Sequence, residues 1–207
     1  MISQKLSITN CDMGRTINYD KRVMLDVIQQ VIRGEYIPGN QLEMVANDTD
    51  GRQGKMTCRI CAAQGDEMLL CSFDRCGNNH LLFPYFKEEQ GFTSMCDYIL
   101  FVEDDESMFV FLIELKDSSH RAKRQTGIAR TFAEFIIGRI LEIKGKSNFP
   151  KSIKYRRVGV KTSHTKMTTK GYDTMGYDND GYVVLPDYHN LYIRKMKELA
   201  YPNESII

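Results

Sequence analysis

Asp97, Glu114 and Lys116 are the residues whose types and spacing point most directly to chemistry. They bracket two apolar runs, 98–102 (YILFV) and 108–113 (MFVFLI), joined by the acidic stretch 103–107 (EDDES). Runs rich in β-branched and aromatic residues around a short polar connection predict two buried strands in a hairpin. An antiparallel hairpin closes at its turn, so its open end gathers Asp97, Glu114 and Lys116. Two carboxylates are hard oxygen ligands for a divalent cation, and an ammonium beside them offsets developing negative charge. Glu114 and Lys116 are two apart and share a strand face with Leu112, Val110 and Met108. Charges that continue a buried face must be paired, metal-bound or at the surface. The plainest alternative is a strand whose last residues meet water.

The elements that position these residues follow from pattern. Downstream, 121–144 predicts a helix capped by Ser118 or Ser119, with Ile128, Phe132, Phe135, Ile136, Ile140 and Ile143 as its buried stripe and Gly145 as its stop. A strand is predicted over 153–160; Ile153 and Tyr155 differ in parity from Val158 and Val160, which requires a bulge or burial on both faces. Upstream, Asn18 or Asp20 caps a helix to Arg33, Pro38-Gly39 makes a turn, and 42–46 forms a short strand. Residues 47–54 read as a loop, and 80–86 (HLLFPYF) as an edge strand, because Pro84 cannot donate to a central ladder. Toward the end, Gly171-Tyr172, Gly176-Tyr177 and Gly181-Tyr182 recur in what reads as a surface loop, whose tyrosines are placed to stack on bases if it borders a basic surface. Asp187 then caps a last helix over 188–200, with Leu191, Met196 and Leu199 partly buried.

Asp97, an apolar strand, a turn, a second apolar strand ending in Glu114-Leu115-Lys116, and then a helix: residues 95–160 resemble the PD-(D/E)XK nuclease superfamily. Cys96 stands where the motif's name has proline. The resemblance implies an α/β fold of the restriction-endonuclease type, a mixed β-sheet core flanked by helices. It implies that Asp97, Glu114 and the carbonyl of Leu115 hold Mg²⁺ or Mn²⁺, while Lys116 positions or activates the attacking water. Many members add an acid from a helix before the sheet; Asp20, Asp26, Glu35, Glu88 and Glu89 all remain candidates. Some use a Gln or Lys of the following helix near the phosphate, which makes Gln125 a candidate by position.

Charge is distributed unevenly along the chain. Asp and Glu dominate between Glu35 and Glu114, whereas residues 116–170 hold fifteen Lys and Arg against three Asp and Glu. Such a block is an electrostatic footprint for a polyanion. Arg121, Lys123, Arg124, Gln125, Lys154, Arg156 and Arg157 are the expected nucleic-acid contacts, with DNA preferred to RNA. The alternative is a solvated basic face with no partner.

Cysteine spacing is the second signal. Cys58 and Cys61 are separated by two residues, and Cys71 and Cys76 by four, with nine between the pairs. Two close thiol pairs match a structural Zn²⁺ shell, with His80 able to replace one thiol. The alternative is that Cys71, following Met68-Leu-Leu, is a core residue. Cys11 and Cys96 lack spaced partners and read as plain thiols.

The 207 residues therefore divide into a lead-in over 1–54, a Cys-rich zinc-type insertion over 55–79, a nuclease-like core over 80–165 and a Tyr/Gly loop with helix over 166–207. No apolar run approaches the ~18 residues of a membrane span, nor is there a secretory start, so an intracellular, cytoplasmic protein is expected. Two functions remain: a metal-dependent nuclease, or a non-catalytic zinc-containing nucleic-acid-binding protein or inactive nuclease-like subunit of a larger complex. Either leaves room for a homodimer or a larger protein partner.

Overall fold

Eight consecutive residues from Met108 to Leu115 are buried, which requires a strand covered on both faces. In the computed structural model this strand is the centre of a five-stranded sheet. The structure describes residues 23–46, 56–63, 65–73, 94–104, 107–115, 119–145, 149–161, 175–186 and 189–201. In chain order the elements are α1 (Val23–Val31), a short 3₁₀ turn (Gly34–Tyr36), β1 (Glu43–Ala46), β2 (Met56–Cys61), β3 (Glu67–Cys71), β4 (Tyr98–Glu103) and β5 (Ser107–Leu115). Then follow α2 (Ser119–Lys144), β6 (Ser152–Lys161), β7 (Tyr182–Pro186), β8 (Asn190–Tyr192) and α3 (Ile193–Glu198).

The larger sheet has the order β3-β4-β5-β6-β7. β3, β4 and β5 run antiparallel as a meander, whereas β5, β6 and β7 are parallel. Parallel neighbours need a crossover, and α2 supplies it between β5 and β6. The hairpin expected from the sequence is β4–β5, closed by the bonds Asp104 N–H to Ser107 O (3.0 Å) and Ser107 N–H to Asp104 Oδ1 (2.8 Å). A smaller sheet has the order β1-β2-β8, with β8 parallel to β2.

Side-chain alternation divides the core in two. Phe109, Phe111, Ile113 and Leu115 face the smaller sheet and α3, packing with Met44, Ile60, Leu191 and Met196. Met108, Val110 and Leu112 face the helices, packing with Ile28 of α1 and with Ala129, Ala133 and Ile137 of α2. Each large apolar side chain buried there stabilises the fold by about 1.5–3 kcal/mol. The result is a layered α/β molecule with two mixed-topology layers of strands flanked by helices. The Tyr98 hydroxyl ties the layers by donating to Val45 O (2.9 Å) and accepting from Val45 N–H (2.8 Å).

Several expectations are corrected. Residues 58–71 are divided between the two sheets, β2 as the middle strand of the smaller one and β3 as a strand of the larger, so this stretch is integral to the core. The expected edge strand at 80–86 lies outside the described residues, among which β3 pairs with β4. For β6 the second of the two expected alternatives holds: its register with β5 is unbroken, and Val158 and Val160 pack on one face while Ile153 and Tyr155 pack on the other. The stretch 188–200 is not one helix, because Asn190–Tyr192 pairs with β2 before α3 begins. β7, within the stretch read as a Tyr/Gly loop and its sequel, was not expected from the pattern. No helix among the described residues is long and apolar enough to cross a membrane.

Candidate functional site

The β4–β5 register pairs Tyr98 with Ile113, and one step further Asp97 meets Glu114. The two are joined by crossed side-chain to backbone bonds. Asp97 N–H donates to Glu114 Oε2 (3.2 Å), and Leu115 N–H donates to Asp97 Oδ2 (2.6 Å). Glu114 is fully buried on the α2 side of the sheet, and Asp97 is half-buried at its rim. Both carboxylates therefore lie together at the open end of the hairpin, as the spacing required. Lys116 lies outside the described residues.

A donor set of two carboxylates, with the Leu115 carbonyl adjacent, is hard and all-oxygen, which suits Mg²⁺ or Mn²⁺ better than a soft ion. Two neighbouring carboxylates also repel unless a cation or proton compensates them. Their field, added to burial, pushes the Cys96 thiol well above its ordinary pKa. Among the described residues no group of three or more His, Cys, Asp and Glu side chains converges as a metal cluster. Of the candidate third acids, Asp26 is exposed and acts electrostatically on Glu103, at the far end of β4, ~17–20 Å along the strand from Asp97. Glu35 is exposed on the 3₁₀ turn, while Asp20, Glu88 and Glu89 lie outside the described residues.

Gln125 is buried in the second turn of α2, and its Nε2 donates to Met95 O (3.0 Å), two residues before Asp97. It thus pins the lead-in to β4 beneath the helix, and its Oε1 is buried without a hydrogen-bond partner among the described residues. Arg121 and Arg124 are exposed on the same helix. Lys123 is not an open cation: its ammonium pairs with Asp178 (2.9 Å) and Asp180 (2.5 Å), which raise its pKa.

The basic residues of β6 divide by parity. Lys154 and Arg156 share the face of Val158 and Val160, toward the smaller sheet. Arg156 is only 2% exposed, its guanidinium 4.0 Å from the Tyr201 ring centroid and 5.3 Å from that of Tyr177. Lys154 lies over Phe109 (5.3 Å). Arg157 projects to the α2 face, where it donates to Thr126 Oγ1 (3.3 Å), Asp180 O (3.2 Å) and Lys123 O. The seven expected nucleic-acid contacts therefore do not form one surface. Nor do Tyr177 and Tyr182 offer rings to solvent, since both are buried; Tyr172 lies outside the described residues.

Among the described residues the cysteines are not brought together into one group either. Cys58 and Cys61 are three apart on β2 and so project from opposite sides of the strand. Cys58 belongs to the core against the smaller sheet and Cys71 to the core against the helices. Burial, and for Cys58 the neighbouring Cys61, pushes both buried thiols up to about 12. Cys76 and His80 lie outside the described residues.

Sequence reasoning missed Gly159 and Tyr182. Gly159 pairs with Glu114 on one side and Val184 on the other. A side chain there would collide with the Tyr182 hydroxyl. The signal was present in the sequence, as an isolated glycine between two valines of a strand marks a close approach. Comparison with family models, curated proteins and solved structures finds no match to this chain.

Proposed function

We propose that this chain is a metal-dependent nuclease of the PD-(D/E)XK type, hydrolysing phosphodiester bonds in nucleic acid, DNA in preference to RNA. The observation that carries the reading is the Asp97–Glu114 pair at the open end of a hairpin, followed by a crossover helix and a parallel strand. That order of elements, in a mixed sheet flanked by helices, is also the one expected for a restriction-endonuclease-like core. Asp97 and Glu114 would hold Mg²⁺ or Mn²⁺, with the Leu115 carbonyl as a third oxygen. Such an ion lowers the pKa of a bound water and offsets charge gathering on the phosphate oxygens. The crossed backbone bonds fix the orientation of both carboxylates before any ligand arrives. Lys116, next but one after Glu114, is assigned to positioning the attacking water and stabilising the anionic transition state. The exposed Arg121 and Arg124 lie on the helix that follows, where a nucleic-acid backbone would be held.

The test is cleavage of supercoiled plasmid, single-stranded DNA and RNA with Mg²⁺ or Mn²⁺. Asp97→Ala and Lys116→Ala should each reduce the rate by at least ~100-fold with circular dichroism and the folding cooperativity retained. Nucleic-acid binding without cleavage under any metal would favour the non-catalytic binding protein instead.

A further inference from the structure

Tyr182 opens β7 opposite Arg157, so both side chains project to the α2 side of the sheet, the side of Glu114. Gly159 is the next position of β6 on that side. Without a Cβ there, the Tyr182 ring leans across β6, and its hydroxyl occupies the space a side chain at 159 would fill. An added Cβ would lie 3.0 Å from the ring Cζ and would overlap the hydroxyl. Because Gly159 and Glu114 are direct neighbours across the ladder, the hydroxyl lies about one strand spacing, ~4.8 Å, from the base of the Glu114 side chain.

One feature distinguishes this hydroxyl from a packing tyrosine. Tyr182 is 5% exposed, and its oxygen has no hydrogen-bond partner among the described residues, although buried tyrosine hydroxyls ordinarily find one. A tyrosine hydroxyl is neutral near pH 7 and so can offer its proton to an acceptor. The ring is held from below: Arg157, fixed to α2 and to the turn before β7, lies 5.9 Å from its centroid. The O–H is fixed and desolvated near the carboxylate pair, yet no acceptor among the described residues is within hydrogen-bond geometry.

We infer that the Tyr182 hydroxyl donates a hydrogen bond to a phosphate oxygen of the ligand bound at the Asp97–Glu114 site, which makes Tyr182 a further residue of that site. This rests on the nuclease reading for the identity of the ligand. Gly159 is what permits the approach, and the parallel pairing of β6 with β7 sets its position.

Tyr182→Phe is the direct test, since it removes only the oxygen and leaves the ring in place. Its melting temperature should equal or exceed that of the unaltered protein, because the hydroxyl has no partner to lose among the described residues. With Mg²⁺, kcat for DNA cleavage should fall by roughly 10–100-fold, the worth of one hydrogen bond to a charged acceptor. A second arm replaces Mg²⁺ with Ca²⁺ and measures the affinity for a deoxynucleoside 5′-monophosphate by calorimetry. That affinity should weaken by a similar factor, with Ca²⁺ binding alone unchanged. If the unaltered protein cleaves DNA and Tyr182→Phe matches it in both arms, the role of Tyr182 is overturned and the nuclease reading stands. If nucleotide binding depends on Tyr182 but no cleavage occurs, the role stands and hydrolysis fails. No nucleotide binding by the unaltered protein, or binding indifferent to Tyr182, overturns the role.

Discussion

Glu103 and Glu114 are buried carboxylates at opposite ends of one antiparallel pair, and their surroundings give them different parts. Glu103 accepts the Leu25 N–H (3.2 Å), but burial raises its pKa, and the like charges of Glu67, Asp26 and Asp104 add to that. A carboxyl whose folded pKa is raised contributes stability fully below its unfolded pKa and loses it as pH rises through the folded value. Glu103→Gln keeps an acceptor for Leu25 while removing the charge. It should raise the melting temperature at pH 7, and the gain should shrink as pH falls and Glu103 itself becomes protonated. A gain independent of pH between about 4 and 7, a window that spans the ordinary carboxylate range and its upper side, would show that charge burial is not the cause. At this scale the Asp97–Glu114 pair was legible, because each lies at the far end of an apolar run from the same short turn, and an antiparallel hairpin brings those ends together. Tyr182 was not, because no period links it to Glu114; the two come close only through the parallel pairing of β6 with both neighbours.

Helix α2 shows what pattern alone misses in an element. Hydrophobic periodicity placed Ile128, Phe132, Phe135, Ile136, Ile140 and Ile143 in one buried stripe, yet Phe135 is 64% and Ile143 66% exposed. Ile140 is buried as expected and Phe132 and Ile136 pack at the edge of the core, but the rest of the buried face is Ala122, Thr126, Ala129, Ala133 and Ile137. The sheet surface beneath is already filled by Ile99, Val110 and Leu112, so the helix needs small residues to come close. Ala133→Leu should therefore destabilise the fold by about 1–3 kcal/mol in urea unfolding, the usual cost of overpacking. Phe135→Ser should change stability by less than about 0.5 kcal/mol, as for a side chain away from the core. Equal effects would mean that the helix faces the sheet with the other stripe. A related limit applies to the cysteines: their spacing matched a zinc shell, but alternation on β2 sends Cys58 and Cys61 to opposite sides. Spacing in sequence becomes spacing in space only after the type of element is known.

Across the whole molecule, the order hairpin, helix, strand was readable because buried runs, turn residues and the 3.6-residue period each mark their own boundaries. The charge polarity was readable too, but its use was not. A sheet has two faces, and β6 sends Lys154 and Arg156 to one and Arg157 to the other, where the last is consumed in holding α2. The free basic surface of the described residues near the site narrows toward Arg121 and Arg124. Replacing both with Ala should weaken DNA binding and lower the slope of log affinity against log salt by about 1 for each phosphate no longer neutralised. An unchanged slope would place the backbone-binding cations elsewhere. The central claim is that two carboxylates, joined through a hairpin register, form a divalent-ion site that cleaves nucleic acid. The most direct measurement is a cleavage panel on plasmid and single-stranded DNA with Mg²⁺, Mn²⁺, Ca²⁺ or EDTA, comparing the unaltered protein with Glu114→Gln, which keeps an acceptor for the Asp97 N–H. Cleavage is expected with Mg²⁺ or Mn²⁺, none with EDTA, and activity is expected to be lost in a folded Glu114→Gln. Cleavage that survives EDTA or the Glu114→Gln change, or no cleavage under any ion, would contradict the claim.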